Sequence, residues 1–305
     1  MALADLLTAA ITNSGHAGPK PDDDELDLFG MTHIGKVRKQ NQDHFLICTV
    51  HQQLLIHGTS FPDPSKLKVR GQRFATFLLV ADGVGGSAGG GEASQLTIET
   101  IAKYVSTTMR GFQAVGAQKE EQLLESLRAA AREAHKAVRA EAVDSGETKM
   151  ATTLTLAIAV WPRAYIMQIG DSRCYYYVDG ALKLVTRDQT IAQDLVDQGV
   201  LPADRAAKSP FSHVLARAIG SEEATPEVTA LDLDWHCLFL LCSDGLTKHV
   251  SNEEIEAHIK VMTSSEQLCR ALVDLALERG GTDNVTVLVG RPKQRSGDRT
   301  SAGGG

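Results

Sequence analysis

The chain has 305 residues, 43% hydrophobic and 23% charged, an ordinary globular composition that can bury a sizeable core. With 38 acidic against 31 basic residues the net charge is -7, which argues against a nucleic-acid or membrane-surface role. The five cysteines (Cys48, Cys174, Cys237, Cys242, Cys269) have no zinc or C-x-x-C spacing and read as reduced core residues of a cytoplasmic protein, and neither a transmembrane run nor a secretory signal is evident.

Residues 1–27 read as a mobile N-terminal extension, because Gly15, Gly18, Pro19, Pro21 and the acidic run Asp22-Asp23-Asp24-Glu25 suit neither helix nor strand. A folded domain is expected over residues 28–291 and a disordered Gly/Ser/Arg tail over 292–305. A short strand begins near Leu28, and residues 45–50 and 53–57 predict paired strands. Residues 58–71 predict a long loop carrying Lys66, Lys68 and Arg70, a local positive cluster in an acidic protein. The continuous apolar run from Phe74 to Ala81 predicts a strand buried on both faces.

Ile98, Ile101, Ala102 and Val105 recur at helical spacing, and a second amphipathic helix is expected over 120–142. Strands follow at 151–160, 164–169 and 174–178, and Asp179-Gly180 predicts a two-residue hairpin into 182–185. A short helix over 190–198 and an irregular stretch over 199–213 precede strands at 228–233 and 238–243. Ser251 with Glu254 and Ser264 with Gln267 are capping signatures for two helices, and a last strand covers 285–289. The expected class is α+β: a four-layer α-β-β-α sandwich of two largely antiparallel sheets with a helix pair on each outer face.

Two apolar strands end on an acid followed by glycine, at Asp82-Gly83 and Asp244-Gly245. A single Asp-Gly is most simply a turn or cap, but the repeat suggests one shared site for a hard cation built from oxygen ligands. Gly83-x-Gly85-x-x-Ala88 nominally fits a dinucleotide fingerprint, yet a second charged helix follows where a parallel strand is needed, and Asp82 would repel a pyrophosphate. Asp283 and Asp171 each also fit ordinary turn chemistry, and Arg38 fits a solvated basic residue beside Lys36 and Lys39.

Taken together, Arg38-x-x-Asn41-Gln42-Asp43, Ala81-Asp82-Gly83-Val84-Gly85-Gly86 with Gly91-Glu92-Ala93-Ser94, Thr152-Thr153, Gly170-Asp171-Ser172-Arg173, Cys242-Ser243-Asp244-Gly245-Leu246-Thr247 and Gly281-Thr282-Asp283-Asn284-Val285-Thr286 occur in that order. Over roughly residues 28–291 the chain resembles the metal-dependent protein serine/threonine phosphatases of the PPM family (type 2C) in their bacterial form. The resemblance implies two Mn2+ or Mg2+ ions, with Asp82 bridging them, the Gly83 carbonyl completing one coordination sphere, and Asp244 and Asp283 holding the other ion. It further implies that Asp43 orients water from behind the ligands and that Arg38 grips the phosphate.

Four positions depart from that family. Ser87 follows the glycine pair where His is frequent, Val84 stands where relatives outside bacteria carry a His acid, and Gln189 replaces a frequent His. Lys248 stands where a second Asp would join Asp171 in a weak third metal site, and its ammonium is expected to neutralise Asp171 and disfavour that ion. The expected function is hydrolysis of phosphoserine and phosphothreonine in proteins by a metal-activated water, in a monomeric enzyme opposing a bacterial Ser/Thr kinase. The alternative, a pseudophosphatase scaffold that binds a phosphorylated partner, has no need for Arg38, Asp82, Asp244 and Asp283 together.

Overall fold

The computed structural model describes residues 18–53, 70–84, 89–108, 119–146, 150–206 and 208–293. In chain order the elements are β1 (Leu26–His33), β2 (Asp43–Gln53), β3 (Arg70–Val84), α1 (Gly89–Thr108), α2 (Lys119–Ser145), β4 (Ala151–Thr152), β5 (Leu154–Val160), β6 (Arg163–Ile169) and β7 (Arg173–Val178). There follow β8 (Ala181–Leu184), α3 (Ile191–Asp197), α4 (Ala203–Ala206), β9 (Glu227–Asp232), β10 (Leu238–Cys242), α5 (Asp244–Thr247), α6 (Asn252–Val261), α7 (Ser265–Glu278) and β11 (Val285–Pro292). One sheet has the order β1-β11-β10-β7-β8 and the other β2-β3-β5-β6-β9, with β4 paired to β3. Every ladder in both sheets is antiparallel.

The alternation of side chains along a strand explains why β3 is apolar throughout. Phe77 and Leu79 face α1 and α2, where they join Ile101, Leu127 and Ala134. Leu78 and Val80 face the other sheet and meet Phe239, Leu241 and Leu288. That sheet's outer face, with Tyr175, Leu240 and Val287, packs on Ile255, Leu268 and Leu272 of α6 and α7. Three apolar layers therefore separate four layers of structure, the sandwich the periodicity predicts. Burial of each large apolar side chain is worth about 1.5–3 kcal/mol, so these layers dominate the favourable side of folding.

The local signals hold where their chemistry is local. Ser251 accepts from the Glu254 amide while Glu254 reaches back to the Ser251 amide, and Ser264 accepts from the Gln267 amide. Asp179 and Gly180 both take positive φ (53° and 77°), as a tight hairpin turn requires.

Three features differ from the sequence expectation. First, β1 begins at Leu26, and residues 18–25 lie against the body of the fold. Arg73, 7% exposed, donates to Asp23 Oδ1 and the Pro21 carbonyl, both at 2.6 Å. Lys20 donates to the Arg73 carbonyl, while Trp161 and Trp235 donate to the Gly18 and Pro19 carbonyls. Backbone carbonyls that look solvent-bound in sequence thus find partners far along the chain. Second, β2 runs unbroken over Asp43–Gln53 and pairs with β3, with irregular register after Val50, so no hairpin forms within it. The remainder of the expected second strand, the loop with Lys66 and Lys68, and residues 1–17 and 294–305 lie outside the described residues.

Third, the strand expected over 151–160 is interrupted at Thr153. Thr152 pairs with Gly83 in β4 and the chain resumes as β5 at Leu154, because Thr153 is diverted to hold Asp82.

The anchoring of residues 18–25 yields a stability expectation. Arg73→Ala removes two short hydrogen bonds from a buried guanidinium and should lower the unfolding free energy by about 2–4 kcal/mol. Urea denaturation followed by circular dichroism measures it; a change below about 0.5 kcal/mol would show that the segment adds nothing.

Candidate functional site

The two Asp-Gly tips meet at one end of the sandwich. Asp82, near the end of β3, stands opposite Asp43 at the start of β2. Asp244 opens α5, separated from the end of β10 by the one residue Ser243, Asp283 precedes β11, and Asp171 lies in the turn between β6 and β7. Asp82, Asp171, Asp244 and Asp283 line one cleft of about 270 Å³ together with Arg38, Gly83 and Lys248. Asp43, 3% exposed, lies behind them. Thus every acid singled out from the sequence arrives at one place.

The backbone around Asp82 is tied on both sides. Its amide donates to Thr153 Oγ1 at 3.0 Å, and its carbonyl accepts from the Thr153 amide and the Thr152 hydroxyl. A side chain at Gly83 would clash with the Gly90 backbone, and one at Gly245 with the Asn284 carbonyl, so both glycines of the Asp-Gly pairs are required by close approach. Asn284, 5% exposed, latches the 34–42 segment: it accepts from the Gln42 amide and donates to the Ile34 and Gln40 carbonyls. That latch carries Arg38 to the turn that holds Asp283, just ahead of β11.

Asp43 Oδ2 accepts from the hydroxyls of Ser243 and Thr286, each at 2.7 Å. Its Oδ1 is buried and has no partner, as is Oδ1 of Asp244. Burial, offset by those two hydroxyls, pushes the Asp43 carboxyl up to about 6. Asp82 is raised well above the carboxylate range, by burial first and then by the charges of Asp43, Asp244, Asp171 and Asp283. Burial and the charge of Asp244 push Asp171 up to about 8. Asp283 behaves otherwise: burial would raise it, but hydrogen bonds from Arg38 and Lys248 hold it below the usual value.

Two cations answer five carboxylates. Arg38 places Nε 2.6 Å from Asp283 Oδ1 and Nη2 2.8 Å from Oδ2, a two-pronged pair that no local pattern foretells. Lys248 Nζ lies 2.6 Å from Asp244 Oδ2 and 2.7 Å from Asp283 Oδ2. This corrects the expectation for Lys248, whose direct partners are Asp244 and Asp283 in place of Asp171. The reason is helical: four residues after Asp244, its side chain folds back onto the same face. Among the described residues no three metal-binding side chains close on one point, and the ammonium occupies the gap between two of them.

The donor set is all oxygen, strongly negative and includes two unpartnered buried carboxylate oxygens, which suits a hard divalent cation such as Mg2+ or Mn2+.

Local patterns do not mark some contributors. Thr286, Ser243 and Asn284 act through contacts between distant segments. His213 falls in the irregular stretch expected over 199–213. A bridge between Thr190 and Leu215, with hydrogen bonds from the Ile191 amide to the Val214 carbonyl and from the Ala216 amide to the Gln189 carbonyl, holds it over the cleft. Gln189 is fully buried and accepts from the Gly170 amide, so it shapes the turn holding Asp171. Val84 lines the cleft, whereas Gly85, Gly86 and Ser87 lie outside the described residues.

A two-sheet sandwich flanked by helices, with an oxygen-donor acid cluster at one end, defines a recognisable class of metal-site protein. The family model described as Protein phosphatase 2C matches residues 63–274, and the chain belongs to that family. A curated relative, the serine/threonine protein phosphatase PstP of Mycobacterium tuberculosis, is 37% identical over 216 residues, 70% of this chain and 40% of that protein. The chain thus spans about 40% of the length of that relative. The crystal structure of M. tuberculosis PstP/Ppp superposes with a TM-score of 0.69 at 31% identity, covering 88% of this chain and 99% of that one. The PstP catalytic domain in complex with two manganese ions superposes with a TM-score of 0.67 at 31% identity, over 88% and 99% of the two chains.

The carboxyl shifts fix a pH dependence for the metal-free protein. Asp43 (about 6) and Asp171 (about 8) both lie above their ordinary 3.8, so the folded state binds these protons more tightly than the unfolded chain. Stability should therefore rise as pH falls from about 8, with His44 and His135, held low by burial, opposing the trend at lower pH, and Asp283, also held low, opposing it below about 4. Melting temperatures in chelator should be higher near pH 5.5 than near pH 8.5, roughly, with a shallower slope in Asp171→Asn. An opposite slope would show that these carboxyls are not strained by burial.

Proposed function

We propose that the chain is a protein serine/threonine phosphatase that uses two manganese or magnesium ions to hydrolyse phosphoserine and phosphothreonine. The observation that carries this reading is the convergence of Asp82, Gly83, Asp244 and Asp283 with Arg38 in a single cleft. Family membership supports it, as does the two-manganese PstP catalytic domain. Asp82 with the Gly83 carbonyl would hold one ion, and Asp82 with Asp244 and Asp283 the other. When bound, such ions supply Lewis-acid charge that makes water a nucleophile near neutral pH.

The remaining steps belong to the chain's own groups. Arg38, 46% exposed and at the rim, would turn its guanidinium fork from Asp283 to two phosphate oxygens. Asp43 would accept from cleft water through its unpartnered Oδ1, while Ser243 and Thr286 fix the other oxygen. Water adds to phosphorus as the P–O bond to serine or threonine breaks, and the departing alkoxide needs a proton. Despite burial, neighbouring carboxylates raise the Lys248 ammonium and make it a poor acid, so His213, in its protonated form, would give that proton and regain one from solvent.

We place this activity in the cytoplasm on phosphoproteins, opposite a Ser/Thr kinase. The five cysteines are free, and no helix among the described residues is long and apolar enough to cross a membrane. A scaffold that only binds a phosphorylated partner is not favoured, since burying like charges is costly and binding alone does not need it.

With manganese, the full chain should release phosphate from a phosphothreonine peptide, and chelator should stop it. Asp82→Asn, still folded, should lose at least about a hundredfold in rate; near-parental turnover would overturn the two-ion site. His213→Gln should slow the phosphothreonine peptide about tenfold or more yet leave p-nitrophenyl phosphate, whose leaving group needs no proton, within about twofold. Equal effects on both substrates would remove His213 from proton transfer.

A further inference from the structure

Lys248 is the cleft's least expected member. It sits at the C-cap of the single-turn helix α5, its amide donating to the Asp244 carbonyl at 2.9 Å, so its side chain has little choice but to run back along Asp244. Its ammonium makes short contacts to one oxygen of Asp244 and one of Asp283, with the side chain 22% exposed. Those are the two acids assigned above to the second ion. Arg38 also touches Asp283, but it is 46% exposed, and pairs open to solvent are weak. The Lys248 contacts are more sheltered and correspondingly stronger.

A way out for the ammonium exists. An adjoining cavity of about 420 Å³ is lined by Lys248 together with Asp171, Asp188 and Thr247. Asp188 is already held by both prongs of Arg173, at 2.7 and 2.8 Å, which leaves Asp171 as the acid able to receive a displaced cation. Lys248 also pulls the raised Asp171 carboxyl downward, as expected of charges within reach of one another.

Building on the metal-dependent reading above, we infer that Lys248 is a tethered competitor for the second ion. The Asp82–Gly83 half of the site loads first. The Asp244–Asp283 half loads only as the ammonium moves out towards Asp171, where it takes the place of any third divalent ion.

Calorimetric titration of the metal-free full chain with manganese tests this without reference to turnover. The parent should show one tight site and a second at least about tenfold weaker. Lys248→Met should tighten the second site about tenfold or more and leave the first within about threefold. If Lys248→Met does not fold without metal, because Asp244 and Asp283 then repel unshielded, Lys248→Gln is titrated against the same criteria. Two equal sites in the parent, or a second site unmoved by the substitution, would overturn the competitor role while leaving the two-ion site intact. Absence of manganese binding in the parent and both variants would overturn the two-ion reading itself, and the competitor with it.

Discussion

The working end of this protein is governed by the repulsion of like charges that the fold forces together. Asp43, Asp82, Asp171, Asp244 and Asp283 come from five separate places along the chain, yet the sandwich brings four of them to one cleft and the fifth directly behind it. Three are driven to bind protons by burial and by one another, while Asp283 is held ionised by two cations. Such an arrangement is costly unless something positive enters it, and bound cations relieve it most directly.

The scaffold tolerates that cost because the acids sit at the ends of strands whose middles are heavily buried. The β3 strand contributes to both apolar layers, and β10 and β11 close the opposite wall. Stability gained far from the cleft thus holds strained groups at its mouth. The hydroxyls of Thr153, Ser243 and Thr286 convert strand position into side-chain position, since each spans a contact to Asp82 or Asp43.

The 34–42 segment is a loop with the precision of a strand. Asn284 satisfies three of its backbone groups, the Lys36 amide donates to the Gly281 carbonyl at 2.7 Å, and Gly35 takes a φ of 82° to pass the Asp283 backbone. Arg38 and Asp283 are therefore held as one unit although 245 residues separate them. Any movement of the guanidinium onto a phosphate starts from a fixed base, which limits the disorder that an exposed arginine otherwise carries.

The sequence by itself determined most element types and the two-sheet class, and pointed to Asp82 and Asp244 through the repeated apolar strand ending in Asp-Gly, because these rest on local chemistry. Asp43, Asp171 and Asp283 stood out only through the family resemblance. Apolar alternation, the Asp179-Gly180 turn and the Ser251 and Ser264 caps act within a few residues of one another. The ordered motifs likewise placed the chain in its family's likeness before any contact was known. Tertiary structure alone decided who pairs with whom. It laid residues 18–25 against Arg73, Trp161 and Trp235, interrupted the 151–160 strand at Thr153, hung His213 over the cleft, and set Lys248 between Asp244 and Asp283. Apart from the turn between Asp244 and Lys248, those partners lie tens to hundreds of residues apart. Local propensity has no term for such distances, and a charge acquires its role only when folding brings its neighbours within a few ångströms.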